Sequence, residues 1–128
     1  DENIAGGIMS TEVFIVKPTD TKESILEHIP KEHEDYETIY DLYIIDNDEK
    51  LIGTISLRAV LELAQNIAIE DIMIKDDIKS INPKLHWKEV ASFMSKYNLI
   101  NAPVVDDDNK LIGVVSVDDI LPWLLDER

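Results

Sequence analysis

The sequence predicts an α/β (α+β) fold made of two copies of one repeat, each running strand–helix–strand–strand–helix. Three features predict it. The stretch Lys110 to Asp119, Lys-Leu-Ile-Gly-Val-Val-Ser-Val-Asp-Asp, has a twin sixty residues earlier at Lys50 to Ala59, Lys-Leu-Ile-Gly-Thr-Ile-Ser-Leu-Arg-Ala. Short runs rich in β-branched residues alternate with stretches whose apolar residues fall at helical spacing. A proline closes the first strand of each copy, Pro18 after Lys17 and Pro83 after Asn82. This period puts one repeat with its leading segment at 1–66 and the other at 67–128. Each half has an incomplete core, so the two are expected to pack face to face with pseudo-two-fold symmetry.

The elements follow in order. A turn is expected at Ala5-Gly6-Gly7, then a strand over Val13 to Val16. Thr19-Asp20-Thr21 supplies an oxygen cap for a helix carrying Ile25, Leu26 and Ile29, and Pro30 ends it. Lys31 to Glu37 reads as a polar loop. Tyr40 to Ile45 and Leu51 to Ser56 are strands joined by the turn Asp46 to Lys50, and Val60, Leu61 and Ala64 mark a helix. In the second copy Ile72-Met73 answers Ile8-Met9, and Ile78 to Ile81 answers the first strand. A helix follows with the stripe Val90, Ala91, Phe93, Met94 and Tyr97; then come strands Ala102 to Val105 and Leu111 to Val115. The last helix starts near Asp118 with Pro122 in its first turn, where a missing N–H costs little. Between its first helix and second strand, the first copy is about five residues longer.

Composition narrows the function. With 27 acidic against 12 basic residues the formal charge is −15, which argues against nucleic-acid and anionic-membrane partners. Packed carboxylates repel, and a hard divalent cation relieves that repulsion. There is no cysteine, so disulfides and thiolate metal sites are excluded. No run approaches the roughly 18 apolar residues of a membrane span, so no insertion of this stretch is expected. The opening Asp1-Glu2-Asn3-Ile4 has no signal-peptide character and reads as part of a longer protein. No nucleophile–base set, phosphate-binding glycine loop or acid–base carboxylate pair is recognisable, which argues against an enzyme. His28, His33 and His86 lack zinc-site spacing and read as surface residues. Trp87 and Trp123 suit either the core or a dimer face.

Ala102-Pro103 with Asp106 to Asp119, and the parallel set Asp46 to Arg58, resemble the CBS domain, and the whole chain a tandem CBS pair (Bateman module). The blocks Ala5-Gly6-Gly7-Ile8-Met9 and Glu37-Thr38-Ile39-Tyr40 make it similar to the cytosolic CBS pair of MgtE-type magnesium transporters. The resemblance implies a regulatory module, homodimeric and on the cytoplasmic side of the cell membrane. In such transporters it lies between an acidic N-terminal domain and transmembrane helices, and Mg²⁺ held by interfacial carboxylates closes the pore. It also implies a cleft for an adenine nucleotide.

Ala102, Pro103, Ser116 and Asp119 carry that cleft in the second repeat, and Arg58 matches in the first. The serine hydroxyl can reach a phosphate or ribose, and the aspartate can accept from two ribose hydroxyls. Ser116 and Asp119 equally suit a helix cap. In the first repeat Ala59 stands where the family has an aspartate, and Tyr40-Asp41-Leu42-Tyr43 replaces the small-apolar–proline step, so binding there is expected to be weak or absent. For Mg²⁺ the candidates are Asp118, Asp119, Asp126 and Glu127; a solvated acidic helix end is the alternative. His86, Lys88 and Asn98, where the family tends to have carboxylates, weaken the implied metal sites. Asp106-Asp107-Asp108 reads as a turn.

Overall fold

The structure, a computed structural model, describes residues 2–29 and 41–126. The expectations for Pro30, the loop Lys31 to Glu37, His33, the block Glu37 to Tyr40, and Glu127 lie outside the described residues. The chain forms two compact units, and they do not follow its sequential halves. One unit holds 1–13 with 79–128; the other holds 14–78.

The unit formed by 14–78 is built on a three-stranded sheet. Strand β1 (Ile15–Val16) runs parallel to β2 (Asp41–Ile45), which pairs antiparallel with β3 (Leu51–Ser56). Helix α2 (Lys22–His28) follows β1, and α3 (Leu57–Leu61) follows β3; α1 (Ala5–Ile8) belongs to the other unit. Helix α2 starts at a complete capping box. Thr21 Oγ1 accepts from Ser24 N–H at 3.2 Å, while Ser24 Oγ accepts from Thr21 N–H at 2.8 Å. Its apolar residue Ile25 drops into a core of Val16, Leu42, Ile44, Ile55, Val60 and Ile69. Lys22 ties the two helices together by donating to the carbonyls of Leu61 and Leu63. The first strand is two residues long rather than the expected four, since only Ile15 and Val16 find partners, Tyr43 and Ile44.

The other unit contains α1 (Ala5–Ile8), α4 (Trp87–Lys96), the antiparallel pair β4 (Asn101–Val105) and β5 (Leu111–Ser116), and α5 (Val117–Asp126). Its core joins Ala5, Ile81, Val90, Met94, Ala102, Val104, Val115 and Ile120, with Trp87. Trp123 packs against Trp87 with ring centroids 6.0 Å apart, so both tryptophans serve this core. Three expectations change here. The turn at Ala5-Gly6-Gly7 is one turn of helix. The strand over Ile78 to Ile81 shrinks to a single parallel bridge, Ile81 to Val104; Asn82, which caps Lys84 N–H, and Pro83, which has no donor, stop it from extending past Ile81. Pro122 lies in the second turn of α5, where it removes the donor that the Asp118 carbonyl would use; Pro122 is exposed, so water can take that place.

The two hairpins are built alike. Asp46 Oδ1 accepts from the N–H groups of Asp48 and Lys50, and Asp106 Oδ1 from those of Asp108 and Lys110. Asp106 is therefore a turn residue. Glu49 (φ 67°) and Asn109 (φ 64°) occupy the left-handed position of each turn.

A leading segment locks each hairpin, and it is not the one closest in sequence. Ser10 exchanges two 2.9 Å backbone hydrogen bonds with Val114, and Ile74 exchanges bonds of 3.0 and 2.8 Å with Thr54. Ahead of them, Ala5 and Gly6 donate to the carbonyls of Leu85 and Pro83, as Ile69 and Glu70 donate to those of Asp20 and Pro18. Met9 then lies on Gly113 and Met73 on Gly53. A Cβ at Gly113 would sit 2.5 Å from Met9 Sδ and 2.9 Å from the Ser10 carbonyl oxygen, whereas the three atoms nearest to one at Gly53 all belong to the Met73 side chain. Gly113→Ala should therefore cost about 1–3 kcal/mol, because hydrogen-bonded backbone cannot yield. Gly53→Ala should cost clearly less, since a thioether chain can swing aside. Urea unfolding of both variants checks this, and equal losses would contradict it.

Candidate ligand site at the start of the last helix

Strand β5 hands its chain to α5 at Ser116, and the polar groups converge there. Ser116 Oγ accepts from Asp119 N–H at 3.2 Å. Asp119 Oδ2 returns the contact, accepting from Ser116 N–H at 2.8 Å and from Ser116 Oγ–H at 3.0 Å. This is a capping box, with the carboxylate in the positively polarised first turn of the helix. Its other oxygen, Oδ1, takes no hydrogen bond from a described residue. The twin junction is half as complete: Ser56 Oγ accepts from Ala59 N–H at 3.0 Å, and the Ala59 methyl packs against the core instead of returning a bond.

Of the nucleotide-site candidates, Ser116 and Asp119 come together. Ala102 is fully buried in the core cluster, so its methyl forms the wall behind the sheet and not a contact surface. Pro103 is buried on the face of β4 opposite to Ala102, which is the face of Asn101 and Ser116, and pairs with Val114. Arg58 belongs to the other unit; its side chain is 90% exposed and reaches only Glu62 at 3.9 Å, a contact of little energetic weight.

A residue that sequence reasoning missed completes the picture. Asn101 is 3% exposed and is the one buried polar residue among those described. It pairs in register with Ser116, so the two side chains stand on the same face with Cβ atoms about 4.5–5.5 Å apart. No buried side-chain nitrogen or oxygen among the described residues lacks a hydrogen-bond partner. The signal was the contrast with the twin position, Asp41, directly before a strand of apolar residues.

The acidic candidates are spread out. Asp118 is exposed in the first turn of α5 and Asp126 is exposed at its end, eight residues on, about 12 Å along the axis. No group of three or more His, Cys, Asp or Glu side chains able to hold a metal occurs among the described residues. One chain therefore does not gather Asp118, Asp119 and Asp126 around an ion. Two histidine expectations are refined: His28 is exposed, with Nδ1 2.6 Å from the Ser24 carbonyl, while half-buried His86 caps α4 by accepting from Lys88 N–H.

Residues 5–66 and 69–126 each match the CBS domain. The chain belongs to the CBS domain family. Its tandem arrangement is strongly similar, in sequence and in structure, to the cytosolic CBS domains of MgtE. Magnesium transporter MgtE of Thermus thermophilus is 33% identical over 124 residues, 97% of this chain and 27% of the transporter. The crystal structure of the cytosolic domain of the Mg²⁺ channel MgtE in complex with ATP superposes with a TM-score of 0.88 at 32% identity, covering 96% of this chain and 49% of that one. A CBS domain pair in complex with 5′-methylthioadenosine and S-adenosyl-L-methionine superposes at 0.77 with 26% identity, covering 98% of each chain. The chain thus spans about a quarter of the transporter's length. No helix among the described residues is long and apolar enough to cross a membrane.

In this CBS pair Tyr43 occupies the position equivalent to Pro103. Burial, and then the nearby Asp41 carboxylate, hold its phenol far above the ordinary value of 10.0. The folded state keeps this proton where the unfolded chain releases it, so the associated stability is full below pH 10.0 and is lost as pH rises beyond it. Urea midpoints should fall above pH 10.0, and Tyr43→Phe should flatten that fall. For the caps, Asp119→Ala should cost about 1 kcal/mol, and Ala59→Asp should gain about 0.5–1 kcal/mol by completing the second box. A destabilised Ala59→Asp in thermal unfolding would refute the equivalence.

Proposed function

We propose that this CBS pair is the regulatory cytosolic module of an MgtE-type magnesium transporter, and that it senses Mg²⁺ to gate a pore elsewhere in the parent protein. The observation that carries the reading is the similarity to MgtE across almost the whole chain, in sequence and in backbone alike. The charge of −15 supports it, and so does the exposure of Asp118 and Asp126. Because these carboxylates stand apart within one chain, Mg²⁺ would be bound between copies or against an acidic domain of the parent protein, with Glu127 and Asp119 as further candidates. Mg²⁺ keeps several waters and needs only one or two direct carboxylates, which suits such shared ligation. Val117, Leu121, Leu124 and Leu125 are exposed on α5 and favour a homodimer through this face. The module would act on the cytoplasmic side of the membrane, without catalysis of its own.

A second reading, an adenosine-ligand-binding regulatory module, is favoured by Asp119 Oδ1, which takes no hydrogen bond from a described residue. The two readings are compatible.

Millimolar Mg²⁺ should slow hydrogen exchange around α5 beyond what Na⁺ achieves at equal ionic strength. Asp118→Asn with Asp126→Asn should remove that difference. Equal protection by both salts would mean that the chain alone does not sense Mg²⁺.

A further inference from the structure

We propose that Met9 and Met73 are a pair of oxidation-sensitive latches: converting each thioether to its sulfoxide frees the leading segment from the hairpin it covers. The proposal stands apart from Mg²⁺ sensing and from any ligand at Ser116 and Asp119.

The chain has no cysteine and three methionines, so thioethers are its oxidisable side-chain sulfurs. Met94 is 5% exposed, within the core of its unit. Met9 and Met73 are half-buried: each packs on its glycine and against a core cluster, and part of the side chain stays open to water. They occupy twin positions. Each stands one residue before the backbone exchange that seats a leading segment, Ser10 with Val114 and Ile74 with Thr54.

The oxidant is a peroxide. The sulfur lone pair attacks one oxygen of hydrogen peroxide, so an S–O bond forms and the O–O bond breaks. The departing oxygen takes the proton of the transferred one and leaves as water. Sulfur loses the two electrons that the peroxide gains, and no further reactant is needed. The product carries a strong acceptor oxygen and a polar side chain where the thioether was nearly apolar. The four backbone N–H groups beside the contacts, those of Ser10, Val114, Ile74 and Thr54, are already committed to the exchanges. The glycine side is closed too, since even a Cβ there would lie within 3.0 Å of either sulfur. An acceptor held there without a donor is penalised, so the sulfoxide turns to water and lifts off the glycine. A two-stranded hairpin that loses its cover is marginal. The loosening then runs along β5 from Gly113 to Ser116 and the start of α5, and along β3 from Gly53 to Ser56 and α3.

Dilute hydrogen peroxide, read by peptide mass spectrometry and amide hydrogen exchange, tests this on the chain as it stands. Met9 and Met73 should oxidise at least about tenfold faster than Met94, in line with their exposure. With both as sulfoxides, exchange at the amides of Ser10, Thr54, Ile74 and Val114 should rise at least about tenfold. Methionine sulfoxide reductase should restore slow exchange. Met9→Leu combined with Met73→Leu keeps an apolar side chain of similar volume and removes the sulfur, so its exchange should stay slow under the same peroxide. If that variant does not fold, the oxidation order and the exchange of the unmodified chain decide. Unchanged exchange in a chain carrying both sulfoxides would overturn the latch. Met94 oxidising as fast as the other two would overturn the selectivity behind it. A folded leucine variant that loosens equally in peroxide would place the effect elsewhere, and failure of the reductase to reverse it would make it damage and not a switch.

Discussion

The contact on which both units depend is a methionine lying on a glycine. Met9 covers Gly113 and Met73 covers Gly53, each held in place by a backbone exchange one residue further on, Ser10 with Val114 and Ile74 with Thr54. The hairpins are only two strands each, too small to be stable in water without a covering layer. The leading segments give that cover on one side, and the helices give it on the other. Glycine suits both positions because a Cβ there would sit within 3.0 Å of the thioether, and at Gly113 within 3.0 Å of the Ser10 carbonyl oxygen as well. The leading segment of each repeat completes the hairpin of the other repeat. This is why the compact units interleave along the chain and why 1–13 folds with 79–128.

On that scaffold the two strand-to-helix junctions diverge by one side chain. Ser56 and Ser116 both cap, but only Asp119 returns the bond and keeps one oxygen for another partner. Asp119 Oδ2 serves the cap, and Oδ1 takes no hydrogen bond from a described residue. Asn101 extends the asymmetry to the facing strand, where the twin has Asp41, half-buried beside the raised phenol of Tyr43.

Much of this was legible in the residues. The alternation of β2 to β5 and the stripe of α4 follow from side-chain periodicity, which survives any tertiary context that buries one face. The Thr21 cap and the Asp46 and Asp106 turns follow from local hydrogen bonding, which needs no distant partner. The misses are of another kind. The strand expected over Ile78 to Ile81 came down to one bridge, because strand length depends on which partner residues the fold brings alongside. Pro122 falls in the second turn because α5 begins at Val117, one residue before the expected start near Asp118.

By itself the sequence determined the repeat, the family, the hairpin turns and the inequality of Asp119 and Ala59, since all of these are properties of neighbouring residues or of one stretch set against another. Only the tertiary structure decided which leading segment covers which hairpin, that Ala102 faces the core, that Asn101 is buried beside Ser116, and that Asp118 and Asp126 stand too far apart to share an ion. The physical reason is common to all four. Each depends on the register of strands and the rise of a helix across residues distant in the chain, and spacing along the sequence carries no information about those distances until the core has packed.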